Sequence, residues 1–105
     1  MKKTRNEILA EIKRMLTAIS PDARIILFGS QAREDNNPDS DWDLLVILNK
    51  TKIEISDFDT ISYPIFEFGL NEGEHFSTKL YTRSDWEKRS FTPFYKNVEK
   101  EGIVL

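Results

Sequence analysis

Residues 29 to 46, with the sequence GSQAREDNNPDSDWDLLV, form the most informative stretch of this chain. An apolar run, Ile25 to Phe28, precedes them, and a second run, Leu44 to Leu48, overlaps their end. Short continuous apolar runs that contain β-branched residues predict buried strands. The chain is therefore expected to pass from one buried strand through a Gly-Ser turn to a pair of aspartates and a second buried strand.

The turn has the composition of a phosphate-binding site. Gly29 has no Cβ, so the backbone can approach a phosphate closely, and Ser30 adds a hydroxyl to the amides at the start of a short helix. Gly-Ser alone is a weak signal. Its position at the end of a predicted strand favours phosphate binding.

Asp41 and Asp43 supply the second half of the pattern. In an extended strand, side chains two residues apart point to the same face, with Cα atoms roughly 6.5 to 7 Å apart. Carboxylate oxygens suit Mg²⁺, which keeps part of its water shell and bridges to substrate phosphates. An alternative is that Ser40 caps a helix, since Ser40 to Asp43 fits an Asp variant of the capping box. The apolar run with Val46 and Ile47 favours a strand and thus a metal-phosphate site.

The segment resembles the signature of the nucleotidyltransferase superfamily that includes DNA polymerase beta, in which Gly-Ser, a helix and a loop precede Asp-x-Asp on the next strand. Within that superfamily, Gly-Ser-x-Ala-Arg followed by Ser-Asp-x-Asp-Leu resembles the minimal nucleotidyltransferases, antitoxin-type proteins often paired with helical HEPN partners. The likeness is clear over residues 23 to 48 and weaker towards the end of the chain. It implies a small α/β fold with a mixed sheet flanked by helices.

The resemblance also implies roles for individual residues. Gly29 and Ser30 would hold the triphosphate, and Asp41 and Asp43 would be the catalytic ligands of Mg²⁺. Arg33 would pair with a phosphate of the nucleotide. The alternative for Arg33 is an ion pair with Asp35, Asp39 or Asp41, which would fix the loop and contribute about 0 to 1 kcal/mol if exposed.

One departure from the superfamily pattern bears on activity. Active members commonly carry a third carboxylate on a later strand, but the candidate strand here, Glu74 to Thr82, has no acid in its middle. Alternation places Ser77 where that acid would lie. Without it, proton removal would fall to Asp43, to water, to His75 or to a partner's residue. The alternative for His75 and Lys79 is that they are polar surface residues of a half-exposed strand, without a role in the chemistry.

Composition narrows the remaining possibilities. We expect one domain, residues 1 to 105, with 39% hydrophobic and 31% charged residues and no cysteine. No apolar run approaches the roughly 20 residues of a membrane span, and the start lacks the apolar stretch of a signal peptide. These features are compatible with the cytoplasm. A net charge of -3 argues against direct nucleic-acid binding through a broadly basic surface.

Periodicity predicts the other elements. A helix is expected at 4–19, strands at about 23–28 and 43–49, and a short helix after the Gly-Ser turn, ended by the loop residues 36–39. In residues 56–70, helical spacing conflicts with Pro64, which favours a helix that is kinked or begins near the proline. Thr92-Pro93 predicts the start of a last helix ending near Glu101. The apolar tail 103–105 is either a final strand or a contact for another chain.

Two hypotheses from different classes remain. One is a Mg²⁺-dependent nucleotidyltransferase that moves AMP from ATP to an acceptor hydroxyl, with a tyrosine of a HEPN-type partner as the acceptor that the resemblance suggests. The other is a nucleotidyltransferase fold that neutralises its partner by binding. A chain this small should have a shallow acceptor site, or one completed by another subunit, either a partner protein or a second copy. The same size argues against a small-molecule nucleotidylating enzyme or a template-dependent polymerase.

Overall fold

In the computed structural model, which describes residues 3–35, 37 and 39–105, a mixed sheet of four strands carries helices on both faces. The strands are β1 (Arg24–Phe28), β2 (Trp42–Leu48), β3 (Phe76–Thr82) and β4 (Ile103–Val104). Their order in the sheet is β3-β2-β1-β4. β1 is antiparallel to both of its neighbours, whereas β2 and β3 are parallel. The predicted α/β class with a mixed sheet is confirmed.

The helices follow the predicted order with local refinements. Their bounds are α1 (Arg5–Ile19), α2 (Ser30–Arg33), α3 (Ile55–Asp57), a π-helical segment (Phe58–Ser62), α4 (Tyr63–Asn71), α5 (Arg83–Lys88) and α6 (Pro93–Glu101). A capping box between Thr4 and Glu7 starts α1, and the Thr92 hydroxyl accepts from the Tyr95 amide to start α6. The predicted first and last helices and the single-turn helix after Gly29 are confirmed.

Two hydrophobic layers lie on opposite faces of the sheet. The first joins α1 and α4 to one face and contains Trp42, whereas the second joins α5 and α6 to the other and contains Trp86. Each buried indole N–H donates to a carboxylate, Trp42 to Glu74 at 3.0 Å and Trp86 to Glu99 at 2.9 Å. Both indole donors are therefore satisfied, as burial requires.

Pro64 is accommodated by a change of helix type. Because proline has no N–H, an α-helix cannot continue regularly through it. Here the π-helical segment ends where the Tyr63 amide donates to the Phe58 carbonyl, and Pro64, which has no amide to donate, follows as the second residue of α4. The prediction of a helix beginning near the proline is confirmed, and α3 extends the helical segment back to Ile55.

Helix α5 was not predicted, although Thr82 caps it through the Asp85 amide and Asp85 lies in its first turn. The apolar tail is a final strand, as one alternative proposed, because Ile103 and Val104 pair with β1.

Of the predicted loop 36–39, Asn36 and Pro38 lie outside the described residues. No helix in the described part of the chain is long and apolar enough to cross a membrane.

Candidate active site

The turn after β1 is built around a glycine in a left-handed conformation. Gly29 has φ 76° and ψ -159°, which most side chains disfavour. Its carbonyl accepts from the amides of Ala32 and Arg33, both at 3.1 Å, and so begins α2. A Cβ added at Gly29 would lie 2.5 Å from Oδ2 of Asp43. The glycine is therefore required both by the turn and by the carboxylate that packs on it.

The two predicted aspartates lie together at the same end of the sheet. Asp43 is in β2, opposite Phe28 of β1, and Asp41 comes just before β2 begins. Because they are two residues apart, both belong to the sheet face that α5 and α6 cover farther along. The Asp43 side chain is partly buried, whereas that of Asp41 is 54% exposed. The helix-cap alternative for Ser40 is wrong, because residues 42–48 are a strand.

Burial and like charge disfavour the ionised form of Asp43. Its pKa is raised, first by desolvation and then by the neighbouring Asp41 carboxylate, while Lys79, Arg33 and His75 act in the opposite direction. A cation held by both carboxylates would offset the repulsion between them and favour the ionised form of Asp43. This arrangement is typical of a functional carboxylate rather than of one placed for stability.

Strand β3 supplies the third side of the site. Its parallel register places Ser77 directly beside Asp43, which is where the sequence predicted that a third acid would lie. His75 precedes β3, and its Nδ1 lies 3.1 Å from Oδ1 of Asp41. Its ring and that of Phe66 in α4 are nearly perpendicular, with centroids 5.7 Å apart. His75 is exposed, but its contact with Asp41 makes it part of the site.

Arg33 is held by two carboxylates, one in the loop after α2 and one in α6. Its Nε donates to Oδ2 of Asp35 at 3.0 Å, and a terminal nitrogen lies 3.6 Å from Oε2 of Glu101 in α6. The ion-pair alternative is thus observed with Asp35, whereas Glu101 was not foreseen. The guanidinium remains 44% exposed, and its pKa is raised by Asp35 and, less strongly, by Glu101. Phosphate pairing by Arg33 stays a prediction.

Gln31 is a positioning residue that sequence reasoning missed. It is buried, its side-chain carbonyl accepts from Arg5 of α1 at 3.3 Å, and its amide donates to the Ser40 carbonyl at 3.3 Å. These bonds tie the helix after the turn to the residue before Asp41. Its place one residue after Ser30 was the only available signal, since both partners are distant in sequence.

The two aspartates fit Mg²⁺ if the phosphates of a bound nucleotide supply further ligands. Among the residues that the structure describes, no group of three or more His, Cys, Asp or Glu could hold a metal by itself. Mg²⁺ is commonly bound by one or two carboxylates together with water and substrate phosphates. Asp41 and Asp43 could provide those carboxylates, next to the Gly-Ser turn that is predicted to bind phosphates. A site that is complete only with nucleotide is therefore consistent with this geometry.

A comparison with protein-family models identifies the fold. The model described as "Nucleotidyltransferase domain" matches residues 6–105, which is nearly the whole chain. The chain belongs to the nucleotidyltransferase domain family. A search of curated proteins finds no match.

Membership agrees with what the geometry brings together. The nucleotidyltransferase domain has its Gly-Ser turn, its aspartate pair and the start of β3 at one end of the sheet. The general activity of the family is the transfer of nucleotidyl groups, which makes the protein a transferase in kind. The superfamily resemblance is thereby confirmed.

Proposed function

We propose that the protein is a cytoplasmic, Mg²⁺-dependent nucleotidyltransferase that transfers AMP from ATP to an acceptor hydroxyl. The observation that carries this proposal is the close approach of the Asp43 carboxylate to Gly29. It would place a metal ligand next to the turn that holds the phosphates. The triphosphate would lie along Gly29 and Ser30, with Asp41 and Asp43 holding the metal. Arg33 would exchange one of its carboxylate partners for a phosphate oxygen.

The proposed step is an in-line displacement at the α-phosphorus. The acceptor hydroxyl oxygen forms a bond to phosphorus, the bond to the bridging oxygen of the β-phosphate breaks, and pyrophosphate leaves. The hydroxyl proton passes to water or to His75. When bound, Mg²⁺ would supply charge neutralisation at the phosphates and polarise the phosphoryl group. Asp41 and Asp43 would orient the reacting groups, and the partly buried position of Asp43 would strengthen its interaction with a cation.

Calorimetry with purified protein tests the donor site. ATP and the other nucleoside triphosphates are titrated with and without Mg²⁺, together with an Asp41→Asn, Asp43→Asn double variant. We expect Mg²⁺-dependent binding that prefers ATP and is lost in the double variant. Equal binding by the wild type and the double variant would refute the proposed donor site.

The acceptor is proposed from the resemblance to minimal nucleotidyltransferases. It would be a tyrosine hydroxyl on a HEPN-type partner protein, brought to the open end of the sheet where Asp41 is exposed. Mass spectrometry of such a partner, incubated with the protein and Mg²⁺-ATP, should show the mass of one AMP on a tyrosine. An unmodified partner that nevertheless forms a stable complex would contradict this acceptor.

A second candidate function is partner neutralisation by binding alone. Ser77 favours it, because the β3 position beside Asp43 carries a hydroxyl instead of the carboxylate that active relatives commonly use. On this hypothesis the Asp41→Asn, Asp43→Asn variant still neutralises the partner. Ser77→Asp separates the two candidates further. A weak enzyme should transfer faster once a third acid lies beside Asp43, whereas a pure binding module should remain without turnover.

A further inference from the structure

A small cavity lies beside the Gly-Ser turn, between the end of β1 and α6. It has a volume of about 190 Å³ and is lined by Phe28, Gly29, Arg33, Phe94, Asn97, Val98 and Glu101. This volume is below the roughly 300 to 1,000 Å³ of a site for a whole drug-sized ligand. The cavity is therefore suited to one ring system of a larger ligand whose remainder lies outside it.

Two aromatic residues line the cavity, and contacts with each other and with the core hold them in place. Phe28 and Phe94 meet edge to face with centroids 5.5 Å apart, and Phe94 also packs edge to face on the buried Trp86 at 5.7 Å. Because the two rings are nearly perpendicular, a planar heterocycle in the cavity can stack on the face of one ring and meet the other edge to face.

The rim of the cavity is polar and lies on one face of α6. Phe94, Asn97 and Glu101 are spaced by three and four residues, so they follow one another along the helix. The Asn97 side chain offers both a donor and an acceptor, the pair that reads the amino group and ring nitrogen of adenine. Glu101 offers acceptors only, which again favours a ring with an exocyclic amine.

The location relates this cavity to the phosphate turn. Gly29 belongs to the Gly-Ser turn, packs on Asp43 and also lines the cavity. The cavity is therefore directly next to the turn. We infer that this cavity receives the adenine base of the nucleotide, with Phe28 and Phe94 as its two aromatic contacts and Asn97 as the residue that reads the base. The inference rests on the proposed function, because the triphosphate at Gly29 and Ser30 is what directs the base to α6.

A ligand pair isolates the base from the phosphates. Mg²⁺-ATP has both parts, whereas Mg²⁺-tripolyphosphate has only the phosphates. Both are titrated into the wild type, Asn97→Ala and Phe94→Leu, with Asn71→Ala as control because Asn71 is also an exposed helical asparagine but does not line the cavity. Asn97 is exposed, so its substitution should leave the fold intact, and circular dichroism checks Phe94→Leu.

We expect Asn97→Ala and Phe94→Leu to bind ATP about tenfold more weakly and tripolyphosphate as the wild type does. Asn97→Ala should also lose the preference for ATP over GTP, and Asn71→Ala should change nothing. Unchanged ATP affinity in both cavity variants, or an equal loss for both ligands, would overturn the inference while leaving the proposed function standing. A wild type that binds neither ligand would overturn both.

Discussion

Asp43 and Asp57 are partly or largely buried carboxylates in the same small protein, yet their surroundings act in opposite directions. Asp57 accepts from the Glu54 amide at 2.7 Å and from the Lys50 ammonium at 2.9 and 3.0 Å. Its pKa is lowered, first by the backbone bond to Glu54 and then by the bond to Lys50. The pKa of Asp43 is instead raised by burial and by Asp41.

The difference separates a carboxylate that stabilises the fold from one whose charge the fold does not fully compensate. Asp57 completes a capping box at the start of α3 and fastens the loop after β2 to it. Asp43 lies against a glycine and beside a serine, with its like-charged neighbour exposed above it. Its compensation is expected from a bound cation, so the two sites should respond oppositely to substitution.

The largest expected contrast is in nucleotide binding and transfer. Asp43→Asn should reduce Mg²⁺-dependent transfer by about 100-fold or more, which is typical for loss of one electrostatic contact to a transition state. Asp57→Asn should leave transfer by the folded protein unchanged, because Asp57 contacts Lys50 and the α3 cap. A radiolabelled-ATP assay at matched folded concentrations measures both. Similar losses in the two variants would remove the distinction drawn between these carboxylates.

The next contrast is in stability. Asp57→Ala should lower the free energy of unfolding by about 2 kcal/mol, because it removes a cap and leaves the Lys50 ammonium without its nearest partner. Asp59→Ala, an exposed neighbour, is the matched control. Since the pKa of Asp57 is lowered, its contribution is present above the ordinary range near pH 3.9 and is lost as pH falls through the folded value. Urea unfolding should therefore show the wild type and Asp57→Ala converging in acid.

Two glycines with similar φ angles extend the comparison to the backbone beside Asp43. Gly29 has φ 76° and Gly73 has φ 73°, but a Cβ at Gly73 would meet nothing within 4 Å. Alanine at either position would be strained by the positive φ, at a cost of about 1 to 3 kcal/mol. Only Gly29→Ala should also displace the Asp43 carboxylate and abolish Mg²⁺-ATP binding. Retained binding in Gly29→Ala would mean that the close approach of Gly29 and Asp43 is dispensable.

The smallest expected effect has the opposite sign. With its pKa raised, Asp43 contributes stability in its protonated form, and that contribution is lost as pH rises through the folded pKa. At neutral pH, Asp43→Asn should therefore stabilise the protein without Mg²⁺, by less than about 1 kcal/mol because the side chain is partly solvated. The gain should vanish below about pH 3.9. Thermal unfolding across this range checks the sign, and a destabilised variant at neutral pH would disprove it.

Local signals explain how much of the fold could be predicted from the sequence. The first helix, the two strands around the Gly-Ser turn and the proline-started last helix are specified by spacing and caps within a few residues of each other. Helix α5 was missed because its only buried residue is Trp86, although Thr82 with Asp85 three residues later is a readable start signal. Pro64 indicated that the helix is irregular, but the sequence did not distinguish a π-helical segment from a kink.

The part of the candidate site whose residues are close together in the sequence could be predicted. Gly29, Ser30, Asp41 and Asp43 came from one short stretch, and Ser77 was placed by alternation along its own strand. The contacts of His75 with Asp41 and Phe66, and of Arg33 with Glu101, depend on the parallel pairing of β2 with β3 and on the docking of α6. Those follow from packing between distant segments, which periodicity within one segment does not specify.

The two tryptophans give each face of the sheet its own optical reporter. Trp42 lies in the layer with α1 and α4, and Trp86 lies in the layer with α5 and α6, where it touches the ring of Phe94. Single-tryptophan forms made by Trp42→Phe or Trp86→Phe would therefore emit from one layer each. Fluorescence recorded during unfolding would show whether the two layers separate from the sheet together or one after the other.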